Sequence, residues 1–211
     1  MTQFSLPFDW AGRGGEQDFL VSEANAIAVR HLEGWADWPV QTSVLSGPRR
    51  SGRSTLGRLF AQMSGGDVID DAEGQEDEAL FHAWNRAQLD RRPLLLIALR
   101  PPQHWTIALP DLRSRLSAAP HVAICEPDEV LAMALVERGL TQAGTDWSPD
   151  LPEWLHRRIE RSYATISGVV DCLNAASLSA GRKISVPLAR ETLQQAGFLP
   201  ILHSDPASSS Q

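Results

Sequence analysis

The sequence is poor in cysteine, with only Cys125 and Cys172 among its 211 residues. The two lie far apart, and neither belongs to a C-x-x-C pair or to a cluster of histidines. The spacing therefore predicts neither a disulfide framework nor a Cys/His metal site, and it is typical of a protein of the reducing cytoplasm.

Positive charge is also scarce. Lys and Arg number 19 against 26 Asp and Glu, which gives a formal net charge of -7. No stretch concentrates basic residues with interleaved aromatics, the pattern that holds a nucleic-acid backbone. We therefore expect no direct, sequence-specific binding of DNA.

Long apolar runs are missing as well, since no stretch approaches the ~18 residues that span a bilayer. The first ten residues, MTQFSLPFDW, have neither the basic region nor the long apolar region of a secretory signal. The sequence thus predicts a cytoplasmic protein that is neither secreted nor inserted in a membrane.

The residues that are present suffice for a folded core, because 43% are hydrophobic and 21% are charged. Strand-like and helix-like segments alternate up to residue 126, and only helices are predicted beyond it. This order predicts an α/β fold, a parallel sheet with flanking helices, followed by a small all-helical domain. The predicted strands are 40–45, 67–70, 94–99 and 121–125, and the predicted helices of the second part are 128–142, 149–161, 165–181 and 187–195. The expected limits are 1–17 for a flexible arm, 18–126 for the α/β domain, 127–200 for the helical domain and 201–211 for a disordered tail.

The stretch from residue 46 to residue 55, SGPRRSGRST, reads G-x-x-x-x-G-R-S where a phosphate-binding P-loop has G-x-x-x-x-G-K-S/T. Gly47 and Gly52 would let backbone N–H groups curl around phosphate oxygens at a helix N-terminus. Arg53 would place a cation on the outer phosphates, Ser54 would reach Mg²⁺, and Thr55 is a further nucleotide-binding candidate. The alternative is a glycine-rich turn with incidental charge.

A second candidate is VIDD, residues 68–71, at the end of a predicted strand, which resembles a Walker B motif. Asp70 would hold Mg²⁺ through water, and Asp71 could polarise an attacking water. The alternative is an acidic turn that happens to follow a strand.

The segment from residue 109 to residue 116, LPDLRSRL, contains two arginines two positions apart, Arg113 and Arg115. Residues at that spacing cannot share a helix face, so the two side chains must make different contacts. An amphipathic turn with solvated arginines is the alternative interpretation.

Near the N-terminus, QFSLPF places Gln3, Leu6 and Phe8 on a leader with no obvious core to join. Short apolar peptides of this kind dock into pockets of partner proteins. An arm folded back onto its own domain is the alternative.

In this order, the elements resemble the DnaA-related AAA+ proteins of the Hda type, the DnaA regulatory inactivator family. The likeness extends from Gln3 to about Leu199, and residues 178–187, LSAGRKISVP, resemble the end of the family's helical lid. The resemblance implies an AAA+ sheet domain followed by that lid, with ADP or ATP and Mg²⁺ as ligands.

The resemblance also implies partners and a function. QFSLPF is similar to the peptide that binds the β subunit of DNA polymerase, the sliding clamp, with Gln3, Leu6 and Phe8 entering the clamp's pocket. Residues 100–102 and 109–116 are similar to the segment that leads to the family's arginine finger, which gives that role to Arg115, in trans. Such a protein promotes hydrolysis of DnaA-bound ATP and prevents re-initiation of chromosome replication.

Several positions depart from an active AAA+ ATPase. Arg53 replaces the P-loop lysine, and only about a dozen residues separate the P-loop from Asp67, too few for the helix and the edge strand that the family usually places between the two motifs. The sensor position after the strand 94–97 falls at Ala98 and Leu99, which cannot orient a water. Ala164 stands where the second sensor arginine is expected, with Arg161 one helical turn away as a substitute. We expect poor hydrolysis by this chain itself.

Two other functions stay open from the sequence. One is an autonomous P-loop NTPase of the helicase-loader type, and the other is a clamp-binding adaptor that works without nucleotide control. A homo-oligomer is compatible with each of them.

Overall fold

A computed structural model describes residues 19–200. In it the chain divides into two compact units, separated between Leu131 and Ala132. The predicted boundary at residues 126–127 lies before this division, and the domain limits stay a prediction.

The first unit is built on a four-stranded parallel sheet of strand order β2-β3-β1-β4. Its strands are β1 (Thr42–Ser46), β2 (Asp67–Ile69), β3 (Leu94–Ala98) and β4 (His121–Ala123), and its helices are α1 (Ala26–Glu33), α2 (Arg53–Ser64), α3 (Asp77–Asp90), α4 (Pro110–Ala118) and the first residues of α5 (Glu129–Gln142). The predicted α/β class is confirmed, and every predicted strand is present, in each case one to two residues shorter or shifted.

The two central strands, β1 and β3, are buried along their whole length. All five residues of β1 and all five of β3 are buried, with Ser43 paired to Leu95 and Leu45 paired to Ile97. A strand that carries helices on both faces of a parallel sheet has no solvated side, so its sequence does not alternate. The interpretation of residues 94–98 as a strand buried on both faces is therefore confirmed.

At one edge of the sheet, α2 leads to β2 with no strand between them, as the short spacing predicts. Gly65 ends α2 in the left-handed conformation, with φ of +66°. Arg92 then ties the turn together, because its Nε donates to the Gly65 carbonyl at 2.8 Å and its Nη2 lies 2.9 Å from Asp67 Oδ1.

Under the sheet, α3 and α4 pack in one apolar cluster that includes Leu80, Trp84, Leu96, Leu112 and Leu116. The start of α3 also fixes the loop before α4. The Asp77 carboxylate accepts hydrogen bonds from the backbone N–H groups of Ala108 and Leu109, at 2.7 and 2.8 Å. α3 and α4 are thus joined by polar contacts as well as by the apolar core.

Two histidines contact β1 through its serines. His31 Nε2 lies 2.7 Å from Ser43 Oγ, and His121 Nε2 lies 2.8 Å from Ser46 Oγ. Because Ser43 Oγ donates to the Pro120 carbonyl, it accepts its bond from His31 Nε2. Burial lowers the pKa of both imidazoles, and for His31 the neighbouring His121 lowers it further.

The second unit consists of the rest of α5 with α6 (Leu151–His156), α7 (Tyr163–Ala180) and α8 (Val186–Gln195). Its core is a separate apolar cluster: Ala132, Val136, Leu140, Leu151, Leu155, Ile159, Ile166, Val169, Leu173, Ile184, Ala189, Leu193 and Leu199. The predicted helix 149–161 is too long, because α6 ends at His156 and the backbone is extended at Ser162. The Ser162 hydroxyl caps α7 by accepting from the Thr165 N–H at 3.1 Å.

Within residues 19–200, no helix is both long and apolar enough to cross a bilayer.

Candidate nucleotide-binding site

The P-loop pattern occupies the position at which a phosphate site forms, between a strand and the helix that follows it. β1 ends at Ser46, and α2 begins at Arg53, with Gly52 as its N-terminal flanking residue. Free N–H groups and the positive end of the helix dipole therefore meet at the end of this loop. Gly47 fits closely here, since an added Cβ would lie 3.0 Å from the Ile124 Cβ atom.

An aromatic side chain that the motif does not include covers this loop. Gly52 has φ of +87°, and an added Cβ would lie 2.7 Å from the Phe19 ring. Sequence reasoning missed Phe19, whose signal is weak: a single aromatic residue shortly before the first helix. The loop thus has an apolar cover on the side of Gly52.

One buried polar atom in the loop lacks a partner among the described residues. Ser51 is 5% exposed, and its hydroxyl makes no hydrogen bond within residues 19–200. A buried hydroxyl without a partner is costly unless a ligand or water satisfies it. Together with the helix N-terminus, this hydroxyl fits an oxyanion in the loop.

The structure brings together the two predicted Mg²⁺ ligands. Ser54 Oγ donates to Asp70 Oδ2 at 2.5 Å, and the other Asp70 oxygen accepts from the Asp71 N–H at 2.9 Å. A hydroxyl and a carboxylate at the end of a P-loop suit Mg²⁺, which takes few protein ligands beside phosphate and water. The described residues contain no group of three His, Cys, Asp or Glu side chains that could hold a metal by themselves.

Arg53, at the lysine position, is half-buried at the start of α2. Burial lowers the pKa of its guanidinium, while the carboxylates of Asp70 and Glu73 act in the opposite direction. Glu73 also contacts Arg100, whose Nε lies 3.4 Å from Glu73 Oε2. A guanidinium stays protonated at neutral pH, so Arg53 is a cation close to the carboxylates of Asp70 and Glu73.

Asp71 and Thr55 lie beside these groups. Asp71 adopts a left-handed conformation with φ of +52°, and its carbonyl accepts from the Gly74 N–H at 3.0 Å. The Thr55 hydroxyl accepts from Arg58 Nη2 at 3.4 Å. Water polarisation by Asp71 and nucleotide contact by Thr55 stay predictions.

The sensor positions carry no polar side chain on β3. Ala98 ends that strand fully buried, and Leu99 follows it, half-buried. In the second unit, Ala164 and Arg161 are both exposed. The use of Arg161 as a nucleotide ligand stays a prediction.

Arg115 lies elsewhere in the first unit, on α4. Its Nη1 donates to Asn85 Oδ1 at 2.5 Å, its Nη2 lies 3.3 Å from Asp111 Oδ2, and its Cζ lies 4.6 Å from the centre of the Phe81 ring. Arg113 makes a different contact, a hydrogen bond from Nη2 to the Ile107 carbonyl. The two arginines therefore differ in their contacts, as their spacing predicts.

The third set of predicted residues, Gln3, Leu6 and Phe8, falls outside the described residues 19–200. Their role in binding a sliding clamp stays a prediction.

Solved structures with the same fold belong to AAA+ proteins. Domain III of the replication initiation protein DnaA from Thermotoga maritima superposes with a TM-score of 0.73 at 14% identity, over 87% of this chain and 95% of that one. AMPPCP-bound DnaA from Aquifex aeolicus superposes with a TM-score of 0.59 at 17% identity, over 76% of this chain and 65% of that one. RuvB from Thermotoga maritima superposes with a TM-score of 0.60 at 13% identity, over 81% of this chain and 66% of that one. At these identities the likeness shows the fold alone, and the chain spans about two thirds of the length of the last two structures.

The second part of the chain gives a more specific result. Residues 128–193 match the family model described as Hda, lid domain. This range contains α5, α6 and α7 and most of α8, so the match covers the helical part of the chain. Residues 128–193 are therefore similar to the lid domain of the Hda family, and they follow a parallel sheet with the fold seen in domain III of DnaA.

Proposed function

We propose that the protein is a regulatory inactivator of DnaA that offers Arg115 to the γ-phosphate of ATP bound by DnaA. The match of residues 128–193 to the Hda lid domain supports inactivation of DnaA, and Arg115 is the side chain proposed to act on the bound ATP. Its side chain is 32% exposed. A planar cation with several N–H groups is the donor best suited to charge that develops on a transferred phosphoryl group.

The direct test is a measurement of ATP hydrolysis by DnaA in the presence of clamp-loaded DNA and this protein. Arg115→Ala is expected to lower the stimulated rate by about 10³-fold or more, because an arginine finger contributes about 10³–10⁵ to such a rate. Arg113→Ala is the matched control from the same helix and is expected to retain stimulation. Full stimulation by Arg115→Ala would show that the proposed mechanism is wrong.

The protein is further proposed to be held on the sliding clamp by Gln3, Leu6 and Phe8. Wild type should be retained on immobilised clamp, and the triple variant Gln3→Ala/Leu6→Ala/Phe8→Ala should be lost from it. The same variant retains Arg115, so excess protein should restore part of the stimulation of DnaA. Failure of the wild type to bind the clamp would contradict the tether.

This chain's own P-loop is proposed to hold ADP, or ATP, as a regulatory ligand with Mg²⁺. The unpaired Ser51 hydroxyl and the adjacent Ser54 and Asp70 support a phosphate with a metal, and Ala98 and Leu99 disfavour efficient hydrolysis. Calorimetric titration with ADP and Mg²⁺ tests this, with Ser54→Ala expected to weaken binding. If Ser54→Ala and wild type stimulate DnaA equally at every ADP concentration, the adaptor without nucleotide control is the correct function.

An autonomous NTPase is the enzyme alternative. It requires turnover by this chain alone that Asp70→Asn abolishes, and the apolar sensor position leads us to expect no such turnover.

A further inference from the structure

The P-loop carries more positive charge than its motif requires. Residues 38–66 contain four arginines and no carboxylate, in a chain whose net charge is -7. Three of the four, Arg49, Arg50 and Arg53, lie in the loop or at the start of α2, and the first two are exposed. Because a P-loop uses one cation, at the lysine position, Arg49 and Arg50 are additional charges.

One of the additional arginines has an unfavourable backbone conformation. The Ser51 N–H donates to the Pro48 carbonyl at 3.3 Å and closes a four-residue turn that contains Arg49 and Arg50. Arg50 is the third residue of this turn and has φ of +64°. A positive φ at that position favours Gly or Asn, because most side chains are strained there. Strain of this kind is typical of ligand-binding segments, in which the function of the side chain offsets it.

The arginine charges lie close to each other and to the buried hydroxyl of the loop. Burial lowers the pKa of Arg53, and the charge of Arg49 lowers it as well, although the nearby carboxylates raise it. The two guanidiniums are therefore near enough to repel each other. The Ser51 hydroxyl lies inside the loop, 3.3 Å from the place of a Cβ on Gly47, and has no hydrogen-bond partner within residues 19–200. Like charges beside an unsatisfied buried hydroxyl fit an anionic ligand.

The carboxylate at the predicted Mg²⁺ site already has partners in the protein. One Asp70 oxygen accepts from the Ser54 hydroxyl, and the other accepts from the Asp71 N–H. Neither oxygen depends on a metal ion for a partner, so this part of the site can form without one.

We propose that Arg49 and Arg50 supply the counter-charge to the phosphate groups of the nucleotide, so that ADP binds to this loop with or without Mg²⁺. The inference rests on the proposal that the P-loop holds a nucleotide. Arginine suits this role because it stays charged at neutral pH and its N–H groups can pair with two phosphate oxygens at once.

Calorimetric titration of the full chain with ADP, first in excess EDTA and then in Mg²⁺, tests the inference. Wild type should bind ADP in both solutions, with dissociation constants that differ by about threefold or less. Arg50→Gly and Arg49→Ala should each weaken binding in EDTA by about tenfold, because each removes a charge-assisted hydrogen bond. Arg50→Lys keeps the charge and should lose less affinity than Arg50→Gly does.

Stability separates ligand binding from a structural role of Arg50. Glycine removes the strain at positive φ, so Arg50→Gly should raise the urea midpoint without nucleotide while it weakens ADP binding. Arg91 provides a matched control, because it is also exposed and has φ of +51°, directly after α3. Arg91→Gly should raise the urea midpoint as well and leave the affinity for ADP unchanged.

The outcomes distinguish this inference from the function on which it rests. If ADP binds only with Mg²⁺, the metal supplies the counter-charge and the inference is wrong. Full ADP affinity in Arg50→Gly and Arg49→Ala would show that these side chains do not bind the phosphates. A lower urea midpoint in Arg50→Gly would make Arg50 a structural residue, which also contradicts the inference. If wild type binds no ADP in either solution, the proposed nucleotide site itself fails.

Discussion

Gly52 combines two constraints at one residue, a φ of +87° and the Phe19 ring at 2.7 Å from the place of a Cβ. Gly65 provides a natural comparison, because it has φ of +66° with no atom within 4 Å of that place. Gly65→Ala should cost about 1–2 kcal/mol of unfolding free energy from backbone strain alone. Gly52→Ala should cost more, since the ring must also move.

Urea unfolding of both variants measures this difference. Combining each with Phe19→Ala isolates the ring's contribution: the cost of Gly52→Ala should fall to that of Gly65→Ala. Equal costs in the presence of Phe19 would mean that the ring does not pack on the P-loop.

The two histidines that contact the serines of β1 predict a dependence of stability on pH. Burial lowers the pKa of His31 and His121 in the folded chain, so the unfolded chain binds protons first as the pH falls. The stability that the neutral imidazoles contribute is present above about pH 6.5 and is lost as the pH falls from there toward the folded pKa values.

The measurement is the urea midpoint at about pH 7.5 and about pH 5.5. His31→Gln keeps a donor for Ser43 without a titrating ring, so it should lose less stability on acidification than wild type does. His82→Gln is the control, because His82 is exposed on α3. An unchanged pH dependence in His31→Gln would contradict the assignment.

At the scale of elements, the contact between α3 and the loop before α4 depends on one carboxylate. Asp77→Ala leaves the N–H groups of Ala108 and Leu109 without their acceptor, and we expect a loss of about 1–3 kcal/mol. Glu78→Ala removes the next, exposed carboxylate from the same helix turn and should be nearly neutral. Urea unfolding compares the two, and equal effects would show that the charge at the helix start matters more than the loop contact.

The elements also show which part of the structure could be predicted. β3 was recognisable because a strand buried on both faces is a continuous apolar run, and α2 was recognisable because glycines precede it. The end of α6 was not recognisable, since residues 157–161 have ordinary helix-forming side chains, although the chain turns after His156 and is extended at the capping Ser162. Helix propensity depends on the local sequence alone, so it does not predict where tertiary contacts end this helix.

In the candidate site, too, some residues could be predicted from the sequence and others could not. Gly47, Gly52, Ser54 and Asp70 follow patterns that are local in sequence, and the structure places Ser54 against Asp70. Phe19 and Asn85 act through contacts with residues about thirty positions away, and no periodicity or spacing indicates such contacts. Short motifs therefore predicted the phosphate loop but not the side chains around it.

At the scale of the whole chain, the second unit has an apolar core of its own. A fragment of residues 127–200 should therefore be helical and unfold cooperatively, since it contains that complete cluster. Circular dichroism and thermal unfolding of the fragment test this. Leu155→Ala, a fully buried position, should lower its stability by about 2–5 kcal/mol, whereas Leu178→Ala at an 80% exposed position should not.

The four-stranded sheet ends at β2, whose outer edge is open to pairing with another chain. Within residues 19–200 no strand pairs with the outer side of β2, and an open strand edge is a template on which another chain can add by backbone hydrogen bonds. β2 has only three residues, and the exposed Asp67 and Arg92 place charges on it. With a net charge of -7 that also keeps copies apart, these charges make intermolecular strand addition unfavourable, and we expect no aggregation through this edge.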